Sequence, residues 1–382
     1  MHIVFDARVI QDHFPGIGRY AFNLLRELPA QLREGERLTV LHDPSAKNTH
    51  YDLQTLGLNL MEWRAPIFRV RGSLATVPVQ GDVAHFSYYL RPVRARMPSV
   101  TTIHDTITLA YPRYTPSAQK RLSIFLMNGL AILASQKIVA VSQSAAQDIA
   151  KHYVFSRSKV VVVPEAADAV FQPQSAARCA QARAKFNLPE QFVFFLASNK
   201  PHKNLIGLIE AWESVINNRG ITQSPITNPH SPLLVVAGLH DARDTAAQDR
   251  AQALGIAESV RFMGSISNED LAALYSACTA FVFPSFYEGF GLPPLEAMAC
   301  GAAVACANTS SLPEVVGDAA LLFDPAKPQQ IADAISQLLN NQDLRADLRQ
   351  RSLHQAKRFS WAEVAKQTCA VYRDVKSMKY EV

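Results

Sequence analysis

Short apolar runs alternate with longer amphipathic stretches along the whole chain, and the alternation predicts strand and helix in turn. In the first half the candidate strands are His2 to Phe5, Leu38 to His42, Val83 to Phe86, Ser99 to Ile103, Lys137 to Ser142 and Val160 to Val163. The series restarts with Phe192 to Ala197, Leu233 to Ala237, Val260 to Met263, Ala280 to Pro284, Ala303 to Ala307 and Ala320 to Phe323. Runs that are apolar at nearly every position suit strands covered on both faces, so parallel sheets with helices on either side are expected. Two doubly wound α/β domains follow. Between Phe171 and Pro189 the strand series lapses into a polar, alanine-rich helical stretch. The join belongs there, with one domain over 1–175 and the other over 185–358. The proline-rich segment Thr222 to Pro232 reads as an insertion in the second domain, because the strand Leu233 to Ala237 resumes the sheet after it. Ser360 is an N-cap candidate for the amphipathic stretch that begins at Trp361.

Composition narrows the class. A chain of 382 residues with 48% hydrophobic and 19% charged residues is long enough for two cores of ordinary size. Its longest apolar stretch, Leu122 to Ala134, is broken by Ser123, Asn128 and Gly129 and falls short of a bilayer span. No signal-peptide pattern precedes Met1-His2-Ile3-Val4, and a cytoplasmic protein is expected. Cys179, Cys278, Cys300, Cys306 and Cys369 lack CxxC spacing and read as small core residues in a reducing compartment. Charge is uneven. Residues 1–180 hold 20 Lys and Arg against 13 Asp and Glu, whereas the remainder holds 18 against 20. Arginines cluster at Arg64, Arg69 and Arg71 and at Arg91, Arg94 and Arg96, with Tyr111 to Arg121 adding aromatic and basic residues. An anionic membrane surface at the cytoplasmic face would attract such a patch, and a solvated basic surface without a partner is the plain alternative. No nucleic-acid-binding motif accompanies it, so nucleic acid is not expected.

The densest chemistry lies in Ser285 to Gly301, SFYEGFGLPPLEAMACG. Glu288 and Glu296 flank a Gly-Phe-Gly turn between a predicted strand and a helix opened by Pro293 and Pro294. Gly289 and Gly291 let backbone approach a ligand closely, and the unpaired amides of a helix start favour an anion such as a diphosphate. Carboxylates next to a phosphate should face hydrogen-bond donors, and sugar hydroxyls fit. Ligands of open α/β sheets bind outside the carboxyl ends of strands. His104 stands at such an end, in Thr101-Thr102-Ile103-His104-Asp105, where an imidazole can donate to or accept from a hydroxyl. Gly16-Ile17-Gly18-Arg19-Tyr20-Ala21 also reads as GxGxxA, but ten residues separate it from its strand, too many for a dinucleotide turn.

The run EGFGLPPLEAMACG resembles the donor-site signature of the retaining GT-B glycosyltransferases of family 4, in which E-x7-E joins a glycine-rich turn to a small-residue helix. The resemblance covers nearly the whole chain and is densest from Val260 to Pro325. It implies a GT-B fold, two Rossmann-like domains facing a central cleft. The first domain would bind acceptor, the second a nucleotide-sugar donor, and the terminal helix over 359–382 would return to the first. Gly16 and Gly18 resemble the family's GIGRY loop near the donor phosphates. Asn199, His202 and Lys203, in SNKPHKNL, resemble its P-R-K-N-L segment, where the lysine neutralises the diphosphate and His202 here replaces an arginine. Met263 resembles its base-contacting turn, and Ser310 to Val315 its nucleotide end. Gly289, Phe290, Gly291 and Leu292 would line the donor, Glu288 would bind sugar hydroxyls and Glu296 the ribose. His104 would position the sugar beside the reacting carbon.

No D-x-D occurs in the chain, so a phosphate-bridging metal is not expected, and the resemblance implies a nucleotide-sugar co-substrate with no resident cofactor. The resemblance to bacterial mannosyltransferases implies transfer of a hexose, with retention, from GDP-mannose to a glycan or lipid-linked oligosaccharide, in a setting such as O-antigen or exopolysaccharide assembly. UDP- and dTDP-sugars stay open as donors. A GT-B sugar phosphorylase or epimerase, a non-catalytic nucleotide-sugar binder and a Rossmann dehydrogenase are the competing classes.

Overall fold

A computed structural model describes residues 1–67, 72, 74–111, 115, 117–219, 231–238 and 244–378. Arg69, Arg71 and most of the Thr222 to Pro232 insertion lie outside the described residues, as do four positions within Tyr111 to Arg121. The chain forms two compact units, Met1–Ala166 with the C-terminal stretch from Ser360, and Ala167–Phe359.

The first unit holds seven parallel strands. They are β1 (His2–Asp6), β2 (Arg37–His42), β3 (Leu60–Glu62), β4 (Val83–Phe86), β5 (Ser99–Ile103), β6 (Lys137–Ala140) and β7 (Val160–Val162). Their order is β3-β2-β1-β4-β5-β6-β7, so the direction of winding reverses between β1 and β4. The second unit repeats the plan with β8 (Phe192–Leu196), β9 (Leu233–Ala237), β10 (Val260–Phe262), β11 (Ala280–Phe283), β12 (Val304–Ala307) and β13 (Ala320–Phe323). Its order is β10-β9-β8-β11-β12-β13, with the reversal between β8 and β11. Reversal points open a crevice at the carboxyl edge of a sheet, because the crossover helices leave to opposite faces there. The second sheet puts Lys203 and Glu288 on the loops after its central strands β8 and β11, whereas His104 of the first follows β5, one strand beyond the reversal. Every strand residue from Leu233 to Ala237 and from Ala280 to Phe283 is buried, as the unbroken apolar runs require.

The C-terminal helix Trp361–Met378 packs on the helix Pro15–Gln31 of the first unit. Trp361, Val364, Ala365, Thr368, Tyr372 and Val375 form its buried stripe. Ser360 caps it, accepting from the Glu363 amide at 3.2 Å. Arg373 grips Glu36 with two bonds of 2.7 and 3.2 Å and holds that carboxyl down at about 2. Tyr372 meets the buried His85 at 2.6 Å. Burial pushes His85 down to about 3, so it is neutral at ordinary pH.

Two expectations shift. The first unit ends at Ala166, earlier than 175, because Phe171 belongs to the second core, where its ring meets Tyr275 edge-on at 6.0 Å. Arg91 is no part of a basic surface. It is 3% exposed, lies over the Phe86 ring and donates to Ser99, Thr101 and Ser135 hydroxyls. Arg94 and Arg96 remain exposed, and Arg64 pairs with Glu62 at 3.0 Å. All five cysteines are buried thiols. Among the described residues, no helix is long and apolar enough to cross a membrane.

Candidate functional site

In the second unit the chain leaves β8 through Ser198 and Asn199 into the single turn Pro201–Lys203. Asn204 ends that turn at φ 57°, and its amide donates to the Pro325 carbonyl at 2.8 Å. Gly207 leaves room for this side chain, since a Cβ there would lie 2.5 Å from Asn204 Oδ1. The His202 carbonyl accepts from the Phe286 amide at 2.8 Å and from the Ser285 hydroxyl at 3.1 Å, which ties the β8 loop to the β11 loop. That tie delivers Lys203 to Glu288. The ammonium lies 2.7 and 2.9 Å from the two carboxylate oxygens, with both side chains mostly buried. An ammonium has three donors, and the carboxylate occupies at most two. One is left to serve another oxygen.

Serines hold the loop that carries Glu288. Ser310 accepts from the Glu288 amide at 2.9 Å, and Ser311 donates to the carbonyls of Glu288 and Phe290 at 3.0 and 2.5 Å. Gly291, at φ 119°, caps the helix Leu292–Ala299. A Cβ there would be strained and would lie 2.8 Å from Leu312, so the turn demands glycine. Leu292 opens the helix, with Pro293 behind it. Gly289 shares the loop with Glu288.

Other expected donor contacts differ. Phe290 is buried and packs edge-on against Phe359 at 5.7 Å, so it shapes the loop from beneath. Glu296 is 1% exposed, with the Tyr275 hydroxyl 3.4 Å away, so the carboxylate expected to greet a ribose lies under the helix surface. The Met263 amide is spent on the Val236 carbonyl at 2.7 Å and is not open to a base. Asn199 is only partly buried and reaches the Asp244 carbonyl at 3.5 Å. Burial, helped by the Lys203 charge, pushes His202 down to about 4. It is neutral at pH 7 and supplies no second cation.

In the first unit, His104 follows β5 as expected, but both ring nitrogens are taken. Nε2 donates to the Ser87 carbonyl at 3.1 Å, and Nδ1 lies 2.9 Å from the Glu165 carboxylate. Both partners are acceptors, and together they hold the ring from two sides. Tyr20 meets the ring edge-on at 4.8 Å, and its hydroxyl joins Thr102, which in turn meets His85 at 2.8 Å. Glu165, Ser87 and Tyr20 were not singled out in the sequence. A carboxylate just after a strand, as in Val163-Pro164-Glu165, is the signal that points to Glu165. Gly16 and Gly18 lie inside the first turns of the helix Pro15–Gln31, not on an open loop. Gly18 packs tightly, as a Cβ would sit 3.3 Å from the Val9 carbonyl, while Gly16 faces open space. Among the described residues no three His, Cys, Asp or Glu side chains converge as a metal cage.

Comparison with known proteins matches both units. Residues 180–355 fit the profile of the family described as Glycosyl transferases group 1, and residues 15–170 that of Glycosyltransferase Family 4. The chain is 30% identical over 394 residues to O-antigen chain mannosyltransferase B of Escherichia coli, covering 98% of this chain and 100% of that one. It is 34% identical over 272 residues to the serotype-specific mannosyltransferase WbdA of Escherichia coli, covering 70% of this chain and 32% of that longer protein. The structure of HepE from Anabaena in complex with UDP and glucose superposes with a TM-score of 0.74 at 18% identity, over 98% of this chain and 100% of HepE.

Proposed function

From the premise that the chain belongs to the group 1 glycosyl transferases, a hexosyltransferase of GT-B fold, we propose that it transfers mannose from GDP-mannose to a glycan or lipid-linked oligosaccharide. The observation that carries this reading is the pairing of Lys203 with Glu288 on the two loops that leave the reversal point of the second sheet. The relatives named as mannosyltransferases support the sugar, and one of them, named for O-antigen chains, supports a growing glycan as acceptor. The compartment in this reading is the cytoplasm, where reduced thiols suit five buried cysteines.

In the proposed step the bond between the anomeric carbon and the diphosphate oxygen breaks. The acceptor oxygen bonds to that carbon on the same face, and its proton passes to the departing phosphate, so configuration is retained. Charge develops on the leaving oxygens, and stabilising it is the chief task of the protein. Lys203 has a donor left for it, and the leading amides of the helix Leu292–Ala299 add a positive dipole end. Glu288 holds the Lys203 ammonium and accepts from sugar hydroxyls. Asn199, Gly289 and Leu292 line the donor, and the ribose is assigned to Glu296. His104 positions the sugar by exchanging its Ser87 bond for a hydroxyl, while Glu165 keeps the ring in place. No metal is required, because lysine and helix end carry the charge.

Release of nucleoside diphosphate from GDP-, UDP-, dTDP- and ADP-sugars, measured with and without a mannosylated oligosaccharide, tests the proposal. Acceptor-dependent release from GDP-mannose, with an added α-linked mannose in the product, is expected. Turnover confined to another nucleotide sugar overturns the donor, and consumption of free phosphate or of donor alone as sole substrate indicates a phosphorylase or epimerase.

A further inference from the structure

The helix Ala118–Leu133 of the first unit turns its apolar side outward. Its inward face offers Asn128, Ala131 and Ile132, whereas Leu122, Phe125, Leu126, Leu130 and Leu133 are exposed, a stripe with helical spacing. Val154 and Phe155, on the turn Val154–Ser156, extend the same patch. The buried Tyr153 joins the two parts. It stacks on Phe125 at 5.1 Å, donates to the Phe125 carbonyl at 2.9 Å and meets Phe155 edge-on at 6.1 Å. Seven of the ten large hydrophobic side chains exposed among the described residues lie here, too many on one face for chance scatter.

The surroundings are basic. No Asp or Glu occurs between Asp105 and Asp148, and Asp148 stands alone until Glu165. Lys120 lies in the first turn of the apolar helix, while Lys151 and Arg157 flank the Val154–Phe155 turn, all three exposed. Lys159 donates to the carbonyls of Ile132 and Ser135 and closes the end of the helix. A water-soluble partner protein could cover leucines alone. An apolar stripe rimmed by cations, on segments whose one carboxylate between Asp105 and Glu165 is Asp148, instead matches the interface of a bilayer, with acyl chains for the leucines and phosphate headgroups for the rim.

We infer that the face formed by Leu122, Phe125, Leu126, Leu130, Leu133, Val154 and Phe155 docks on an anionic lipid bilayer. The surface relocates the basic patch expected from the arginine clusters, since Arg91 is buried and the docking rim is Lys120, Lys151 and Arg157. It includes none of the residues assigned to the donor or to sugar positioning.

Flotation of the full chain tests it, with vesicles of equal parts phosphatidylglycerol and phosphatidylcholine beside vesicles of phosphatidylcholine alone. Wild-type protein should float with the anionic vesicles and progressively less as salt rises. Leu126→Asp combined with Leu130→Asp, both at exposed positions, should cut flotation by roughly tenfold or more while the melting curve is unchanged. Lys120→Glu with Lys151→Glu should lower flotation as well. Equal wild-type flotation on both vesicles, flotation with neither, or an unaffected leucine variant overturns the inference. So does a wild-type dimer in sedimentation that the leucine variant abolishes, because a second copy would then cover the patch. Nucleoside diphosphate release by the leucine variant in vesicle-free solution separates this outcome from failure of the transfer reaction.

Discussion

The two polar centres, one in each unit, are built on opposite plans. In the second unit, Lys203 and Glu288 meet across loops 85 residues apart, and the bonds that hold those loops run through backbone groups and serine hydroxyls and leave the ammonium and carboxylate to each other. In the first unit, His104 is pinned from both sides by Glu165 and the Ser87 carbonyl, with Tyr20 against its edge. An ammonium with a donor beyond those its carboxylate takes can bind a phosphate oxygen without breaking a bond. A ring held at both nitrogens must break a bond to do anything new. The first arrangement suits a group that meets a ligand whose charge changes during the reaction, the second a group that fixes shape.

The largest effect should come from breaking the exchangeable pair. Lys203→Ala removes the cation and leaves a mostly buried carboxylate unpaired, at a cost of about 3–5 kcal/mol to the site. Transfer should fall by about a hundredfold or more, and affinity for free GDP by about tenfold, measured by product release and calorimetric titration. Unchanged GDP affinity would take Lys203 out of the phosphate site. Glu288→Gln should be milder, since the amide keeps the shape and still accepts from a hydroxyl. A loss of about ten- to a hundredfold in turnover is expected with GDP affinity held within about twofold. A parallel fall in both would erase the distinction between the two partners.

Smaller effects sharpen the contrast from the other side. Glu165→Gln should slow transfer by about tenfold while leaving GDP affinity within about twofold, because the ring loses a charged partner but keeps an acceptor. Wild-type turnover in Glu165→Gln would make Glu165 irrelevant to His104. His202 offers a pH test. Its folded value near 4 lies below the ordinary 6.5 of the unfolded chain. The stability it contributes is complete above 6.5 and is lost as pH falls toward 4, by up to about 1.4 kcal/mol per pH unit. Thermal melts from neutral to mildly acidic pH should therefore fall less steeply for His202→Asn than for wild type. Identical slopes would show that His202 is not buried neutral. The least effect is expected from EDTA. Activity should stay within about twofold, as a site run by an ammonium and a helix end predicts, and a loss restored by magnesium or manganese would refute that.

Much of the fold was legible. Twelve of the strands fall where the apolar runs stand, because strands buried on both faces must be apolar along their length. The strand β3, Leu60–Glu62, escaped notice, being three residues long at the edge of its sheet. A short edge strand carries no periodic signal. Within the site, the loop residues Lys203 and Glu288 were legible as chemistry, and Gly291 as a turn. Phe290 and Glu296 were legible only as members of a motif, whose spacing does not say which side chains the core will claim.

By itself the sequence determined the alternation of strand and helix, the two parallel sheets and the loops on which charged residues ride, since each follows from burial along a local stretch. Only the tertiary structure decided that Lys203 meets Glu288, that Glu165 rather than a ligand holds His104, that Arg91 is buried, and that an apolar helix face points outward. Each of these depends on residues brought together from distant parts of the chain. Local pattern sets how a segment folds, but the partner of a polar group is chosen by the packing of the whole, where leaving it unpaired would cost about 1–3 kcal/mol.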